Sequence, residues 1–226
     1  MNPTPIEELH QRLDELTPVV RAHAVETDRS AELGKEVVGV LKASGFFKLW
    51  VPKCYGGLEL DLPRTLRIYE SAATIDGSLG WAVMIGSGGG LFAAYLEPQA
   101  ARELFSPADA VVAGSGAPNG RAERVPNGYR ASGRWRYASG ARYATIFTAN
   151  CVVTSGGSPV PVPVPDSQGK PLIRALSFAP ANVAVIPTWD ATGMRGTGSH
   201  DIEVRSLFSP IHRANRAHCT NCPSTC

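Results

Sequence analysis

The chain has 226 residues, of which 43% are hydrophobic and 19% are charged, and this length suffices for one large domain or two small ones. Its formal net charge is +2, and lysine and arginine are scattered singly among acidic residues, which argues against nucleic-acid binding. The acidic N-terminus lacks a secretory signal, no apolar run approaches the roughly 18 residues of a membrane span, and the odd count of five cysteines favours a cytoplasmic location.

The first hundred residues have the apolar spacing of helices. One stripe of a first helix contains Ile6, Leu9, Leu13 and Leu16. Pro18 is expected to interrupt or restart that helix, because proline lacks a backbone N–H. A second stripe contains Leu33, Val37, Val40 and Leu41. Gly45 is expected to end this second helix.

Two aspartates mark the starts of the next helices. Asp61 is expected to cap a third helix, with Pro63 in its first turn. The residues assigned to the buried side of that helix are Leu62, Leu66, Tyr69 and Ala73. Asp76 is expected to cap a fourth helix that runs to Ile85 and stops before the glycines at 88–90. A further helix is predicted over residues 98–104.

After Pro107 the spacing of apolar residues changes from that of helices to that of strands. Strands are predicted over residues 111–113, 129–137, 145–153, 172–178, 183–186 and 202–208. The proline-rich segment 155–170 is expected to be an extended loop. Helices first and strands second predict an α+β fold, in which an N-terminal all-helical domain (1–106) precedes an antiparallel β-barrel or β-sandwich domain (107–210). Residues 211–226 form an irregular, Cys-rich tail.

The segment YRASGRWRYASG, residues 129–140, follows a hairpin signal and has a two-residue period. Its residues on one face are Tyr129, Ala131, Gly133, Trp135, Tyr137 and Ser139. The flat ring of Tyr137 is suited to lie against a flavin, and the hydroxyl of Ser139 is suited to bond a ring nitrogen or carbonyl. The same pattern also describes an ordinary β-sandwich strand.

Four motifs stand in chain order: WVPKCYGGLELDL at 50–62, DGSLGW at 76–81, YASG at 137–140 and WDATGMRGTGSHDIEV at 189–204. Together they resemble the N-terminal helical and middle β-domains of the acyl-CoA dehydrogenase superfamily. The resemblance implies a flavoprotein oxidoreductase that uses FAD or FMN. It also implies a homotetramer when the protein is full length, and a C-terminal four-helix domain that is missing after Pro210.

The resemblance assigns cofactor-binding residues. Tyr137 corresponds to the aromatic residue that packs against the isoalloxazine, and Ser139 to the hydroxyl that hydrogen-bonds it. The family's first middle-domain loop corresponds to residues 114–117, which assigns Ser115 and Gly116 to flavin contact. This loop lacks the acidic residue and the TEPGxGSD-like spacing of the dehydrogenases.

Two further residues are assigned to the substrate pocket. Arg195 matches the G-M-R-x-T turn, for which the alternative is a turn held together by its own polar groups. Trp81 lies in the helix that lines the substrate side in relatives, and its alternative is a core position. The catalytic residues are unknown, because the family's base or histidine lies in the C-terminal domain.

The divergent loop favours one subgroup. The motifs look most like oxygenase components that take reduced flavin from a separate flavin reductase and oxidise a small organic substrate. One alternative is an acyl-CoA dehydrogenase that oxidises the α,β bond of an acyl-CoA thioester, and another is an inactive fragment or binding module. A dehydrogenase needs a carboxylate that removes a proton, whereas an oxygenase needs a dry pocket. This stretch of chain is expected to be inactive alone.

The tail contains residue types that bind zinc, namely His212, His218, Cys219, Cys222 and Cys226. It has one Cys-x-x-Cys pair, whereas structural zinc sites normally show two paired half-sites. We therefore predict no metal, and interpret the tail as a consequence of a frameshift or truncation after Pro210.

Overall fold

The computed structural model describes residues 5–156 and 161–214. Its helices are α1 (Pro5–Ala22), α2 (Ala24–Ser30), α3 (Lys35–Ala43), α4 (Leu62–Ile75), α5 (Gly77–Gly88) and α6 (Pro98–Phe105). Its strands are β1 (Val112–Val125), β2 (Gly128–Ala138), β3 (Ile146–Thr154), β4 (Ile173–Phe178), β5 (Ala184–Ile186) and β6 (His200–Pro210). Among these helices, none has the length and apolar character that crossing a bilayer requires.

Helix α1 passes through Pro18 without a break, so the expected interruption is wrong. Its buried stripe continues on both sides of the proline and consists of Leu9, Leu13, Leu16 and Val20. Burial of four aliphatic side chains outweighs the loss of one backbone hydrogen bond, because each contributes on the order of 1.5–3 kcal/mol.

The two predicted N-caps are confirmed. Asp61 accepts a hydrogen bond from the backbone N–H of Arg64 at 2.9 Å, and Asp76 accepts one from Leu79 at 3.0 Å. Each aspartate pairs one of the N–H groups that a helix start leaves without an intrahelical partner. The predicted helix at 98–104 is α6.

The predicted buried side of α4 is wrong apart from Tyr69, which is partly buried against the core. Thr65, Ile68 and Ala72 are buried, whereas Leu62 and Leu66 are 55% and 52% exposed. The indole N–H of Trp50 donates to Thr65 Oγ1 at 2.8 Å, so this hydroxyl is paired inside the core. The helix therefore has two stripes that suit burial, and tertiary packing covers the one that the apolar pattern does not mark.

Helix α5 continues beyond the predicted stop, and its glycines serve close packing. A Cβ on Gly86 would lie 2.3 Å from the Phe47 ring, and one on Gly89 would lie 2.3 Å from Val112. The glycine-rich stretch that looked like a break thus lets α5 and the 3-10 segment Gly89–Tyr95 pack directly on other elements.

The strands form one mixed, open sheet with the order β4-β3-β1-β2-β6-β5. The α+β class is confirmed, but the antiparallel barrel is corrected, because β1 pairs in parallel with β3 and the edge strands β4 and β5 do not pair with each other. Strand β1 extends far beyond the predicted 111–113 and includes the presumed loop 114–117. An irregularity between Ser115 and Gly120 accommodates the extra residues.

Candidate functional site

Tyr137 is an exposed residue at the end of β2. Its side chain is 64% exposed, whereas Trp135, two residues earlier, is fully buried. The prediction that both lie on one face is wrong, because Tyr137 has a φ of 63° at a register shift and the two-residue alternation ends there. The ring packs against Trp189 in a T-shaped arrangement, with ring centroids 6.1 Å apart. A left-handed tyrosine is strained, and such strain concentrates at functional sites.

Ser139 follows Tyr137 by two residues and is buried, and its backbone N–H donates to the Tyr137 carbonyl at 3.0 Å. Its hydroxyl accepts a hydrogen bond from the indole N–H of Trp81 at 2.9 Å and contacts the Ser199 hydroxyl at 2.7 Å. Ser199 in turn contacts the Thr197 hydroxyl at 2.7 Å. Three elements therefore meet here: α5 contributes Trp81, the turn after β2 contributes Ser139, and the turn before β6 contributes the other two hydroxyls.

A cleft of about 460 Å³ opens between the helical half and the sheet. Its helical wall is formed by Met84, Ile85, Gly88, Gly89 and Phe92, and its sheet wall by Val112, Gly114, Ser115, Gly116, Thr148, Asn150, Ile173 and Ala175. The side-chain amide of Asn150 donates to the Gly116 carbonyl at 2.7 Å and fixes this part of β1. A Cβ on Gly116 would meet nothing within 4 Å, so its backbone borders open space.

One face of α5 connects Tyr137 and Ser139 with the cleft. Trp81, Met84, Ile85 and Gly88 recur at helical spacing, and each is partly exposed while the rest of the helix from Ser78 onward is buried. Four residues of helix span about 6 Å, so the Trp81 indole and the cleft wall are neighbours. Trp81, with Ser139 bonded to it, therefore lies at one end of this helical face, and the cleft that contains Ser115 and Gly116 lies at the other.

Arg195 is tied into its own turn. Its guanidinium donates to the Asp190 carboxylate at 2.6 Å, to the Ala191 carbonyl at 2.9 Å and to the Asp28 carbonyl at 2.6 Å. These contacts fit the alternative of a turn stabilised by its own polar groups, and they also join the turn to α2. A role in the substrate pocket stays a prediction.

No group of three or more potential metal-ligating side chains occurs within residues 5–156 and 161–214. The Cys-rich part of the tail, residues 215–226, lies outside the described residues. His212, the remaining tail residue of the predicted set, lies in a short 3-10 turn after β6.

Residues 13–103 match the family described as acyl-CoA dehydrogenase, N-terminal domain. The chain is 32% identical over 208 residues to a pigment production hydroxylase of a Rhodococcus species and 32% identical over 189 residues to an indole-3-acetate monooxygenase of Pseudomonas putida. These matches cover 91% and 83% of this chain, but only 51% and 45% of the relatives. The chain therefore spans about half the length of the curated relatives that it matches.

Solved structures extend the likeness through the sheet. XiaF from a Streptomyces species, solved with FADH2 and glycerol, has a TM-score of 0.83 at 27% identity and matches 95% of this chain and 52% of its own. The HsaA monooxygenase from Mycobacterium tuberculosis has a TM-score of 0.81 at 27% identity, covering 92% of this chain and 55% of its own. The helical part, residues 13–103, belongs to the acyl-CoA dehydrogenase family. Two further relatives are named as the oxygenase subunit or component of flavin-dependent hydroxylating enzymes, HsaA of Rhodococcus jostii and a resorcinol hydroxylase of a Rhizobium species.

Three of the four motifs contribute residues to this site, namely Trp81, Ser139 and Ser199. The contacts between these residues were not apparent from the sequence. The G-M-R-x-T turn was assigned to the substrate pocket through Arg195, whereas in the structure Ser199 contacts Ser139 and Thr197 contacts Ser199. Met84 and Ile85 were read only as parts of an apolar helix. The signal for these two was their spacing from Trp81, which places all three on one helical face.

The described residues are compatible with a planar flavin ring. Tyr137 presents an exposed aromatic ring, and an added Cβ on Gly116 would meet nothing within 4 Å. Ser139 is 7% exposed and has two protein partners, so one hydrogen-bonding direction of its hydroxyl is left for a ligand.

Proposed function

We propose that this chain is the N-terminal and middle part of the oxygenase component of a two-component flavin-dependent monooxygenase that acts on a small organic substrate. Residues 1–106 would form the helical domain and residues 107–210 the flavin-binding domain. The observations that carry the proposal are the exposed ring of Tyr137, two residues before the Ser139 hydroxyl, and a cleft, one helical turn from Trp81, whose lining has no charged side chain. The names of the matched relatives support the same reaction class.

Four residues would hold the flavin. Tyr137 would stack on the ring, Ser139 would hydrogen-bond its edge, and Ser115 and Gly116 would face it through backbone and hydroxyl groups. Reduced FAD or FMN would supply the electrons with which dioxygen is activated. The apolar walls formed by Met84, Ile85 and Phe92 would keep water from the reacting atoms, which favours oxygen transfer over wasteful release of peroxide.

The partners of the whole protein follow from this reaction class. A separate flavin reductase would deliver the reduced flavin, and further residues outside residues 1–210 would supply the catalytic groups. Like the family, the complete protein would assemble as a homotetramer and act in the cytoplasm.

Flavin titration tests the proposal. The chain should quench FMN or FAD fluorescence at micromolar concentration, and Tyr137→Ala should weaken binding about 5- to 10-fold because it removes a stacked ring worth about 1 kcal/mol. Phe208→Ala is the matched control, since Phe208 is 50% exposed on the same sheet but pairs with Arg130 at the opposite end of β2. Equal affinity of parent and Tyr137→Ala would contradict the assignment.

A second measurement separates the reaction classes. An acyl-CoA thioester should leave the bound flavin oxidised when no reductase is present. Bleaching of the flavin by the thioester alone would instead favour the acyl-CoA dehydrogenase.

A further inference from the structure

Four side chains form a continuous hydrogen-bonded chain that links α5, the turn after β2 and the turn before β6. Trp81 donates to Ser139, Ser139 contacts Ser199, and Ser199 contacts Thr197, with heavy-atom distances of 2.9, 2.7 and 2.7 Å. The three hydroxyl-bearing residues are 7%, 5% and 2% exposed in that order. All three are therefore buried.

Counting protons sets the direction of this chain. An indole N–H can only donate, so Trp81 uses one lone pair of Ser139. If Ser139 donated to Ser199 and Ser199 to Thr197, the Thr197 proton would be left in the interior, where the described contact of its Oγ1 is Ser199. A buried donor without an acceptor is costly. In the opposite direction Thr197 donates to Ser199, Ser199 donates to Ser139, and the unused proton is that of Ser139.

We propose that Ser199 and Thr197 are positioning residues that hold the Ser139 hydroxyl as an outward-facing hydrogen-bond donor for the flavin ring. This inference rests on the proposed function, and it adds two residues that do not touch the ligand. Ser139 accepts two hydrogen bonds and has its proton directed to the one remaining side. Because a hydroxyl that accepts becomes a better donor, each link strengthens the contact at the open end.

A double-mutant cycle tests this arrangement through the affinity for oxidised FMN. Ser139→Ala should weaken binding about fivefold, because it removes one hydrogen bond to the flavin. Ser199→Ala should weaken binding about threefold, because it removes the hydrogen bond that orients the Ser139 hydroxyl. The double variant should bind like Ser139→Ala alone, because Ser199 acts only through Ser139. Thr197→Val should weaken binding about twofold, whereas Thr197→Ser, which keeps the hydroxyl, should bind like the parent.

Thr154→Val provides the matched control. Thr154 is buried to a similar degree, and its hydroxyl has no hydrogen-bond partner within the part of the chain that the structure describes. This variant removes the same atom type from a buried position in β3 and should leave flavin affinity unchanged. A purely structural role of Ser199 would lower the unfolding midpoint without changing the affinity of the folded protein. If Ser199→Ala does not fold, Ser199→Cys, whose slightly larger thiol fills the site but bonds weakly, takes its place.

The outcomes are separable. If the parent does not bind FMN, the proposed function fails, and the positioning role of Ser199 and Thr197 fails with it. Two results would overturn only the positioning role, with FMN binding by the parent intact. In one, the single effects multiply to about fifteenfold in the double variant; in the other, Ser199→Ala binds like the parent.

Discussion

His200 is a buried residue whose two ring nitrogens have different surroundings. Nδ1 accepts the backbone N–H of Trp189 at 3.1 Å, so the proton of the neutral ring is on Nε2. Nε2 has no hydrogen-bond partner among residues 5–156 and 161–214. Burial, together with the nearby charge of Arg142, lowers the pKa of His200 from its ordinary value of 6.5, although Glu32 and Asp201 oppose this effect.

This lowered pKa predicts a loss of stability in mild acid. Above pH 6.5 the folded and unfolded states both hold a neutral His200, and its full contribution to the free energy of unfolding is present. As the pH falls below 6.5, the unfolded state takes up a proton first, and stability decreases until the pH passes the lower pKa of the folded state. His200→Asn keeps an acceptor for Trp189 but does not titrate, so its stability should decline less between about pH 7.5 and 5.

Urea unfolding of both proteins at several pH values measures the difference. His23→Asn is the control, because it removes an exposed histidine from the start of α2. Parallel pH profiles for the parent and His200→Asn would show that His200 has the same pKa in both states.

At the level of elements, α4 and α5 form a helical hairpin that depends on one close approach. A Cβ on Gly80 would lie 2.6 Å from both the Cα and the Cβ of Ala73, and backbone atoms cannot move aside as a flexible side chain can. The Tyr69 and Ser87 hydroxyls, 2.6 Å apart, make a second contact. The orientation of Trp81, one residue beyond Gly80, therefore depends on how tightly the two helices pack.

Gly80→Ala should lower the free energy of unfolding by about 1–3 kcal/mol, because it forces the helices apart. Gly39→Ala is the matched control in α3, where an added Cβ would meet nothing within 4 Å. That substitution should raise stability by about 0.5–1 kcal/mol through helix propensity. Chemical denaturation of the three proteins decides the point, and equal effects of both substitutions would show that the hairpin tolerates a wider spacing.

Local signals in the sequence were sufficient for some elements and insufficient for others. The Asp61 and Asp76 caps depend on contacts three residues apart, and both were predicted correctly. The buried side of α4 was not, since the helix has a second stripe and a single sequence does not show which stripe finds a partner. The parallel pairing of β1 with β3 was also missed, because no local sequence pattern shows which strands pair when they are separated by another strand.

At the scale of the whole molecule, the site combines distant parts of the chain. The hydrogen bond from Trp81 to Ser139 joins residues 58 positions apart, and the contact from Ser139 to Ser199 joins residues 60 apart. Residue types and motifs pointed to Ser139 and Trp81 separately. Their contact depends on how the helical half packs on the sheet. Neither the spacing of apolar residues nor the helix-capping residues determine that packing.

The same packing leaves one apolar face of the helical half uncovered. Leu62 and Leu66 in the first turns of α4 are 55% and 52% exposed, and Leu91, just after α5, is 51% exposed. Because α4 and α5 are antiparallel, with Ala73 against Gly80 and Tyr69 against Ser87, the start of α4 lies beside the end of α5. Clustered apolar side chains of this kind are typical of a surface that another protein segment covers.

We therefore expect the chain by itself to self-associate through this face. Replacing Leu62 with Gln and Leu66 with Glu should shift sedimentation velocity profiles towards the monomer, while the free energy of unfolding changes by less than about 0.5 kcal/mol, since neither side chain is part of the core. Val25→Glu is the control, because Val25 is 83% exposed but lies apart on α2. A parent that stays monomeric over the whole concentration series, or equal association of all three proteins, would show that this face does not drive self-association.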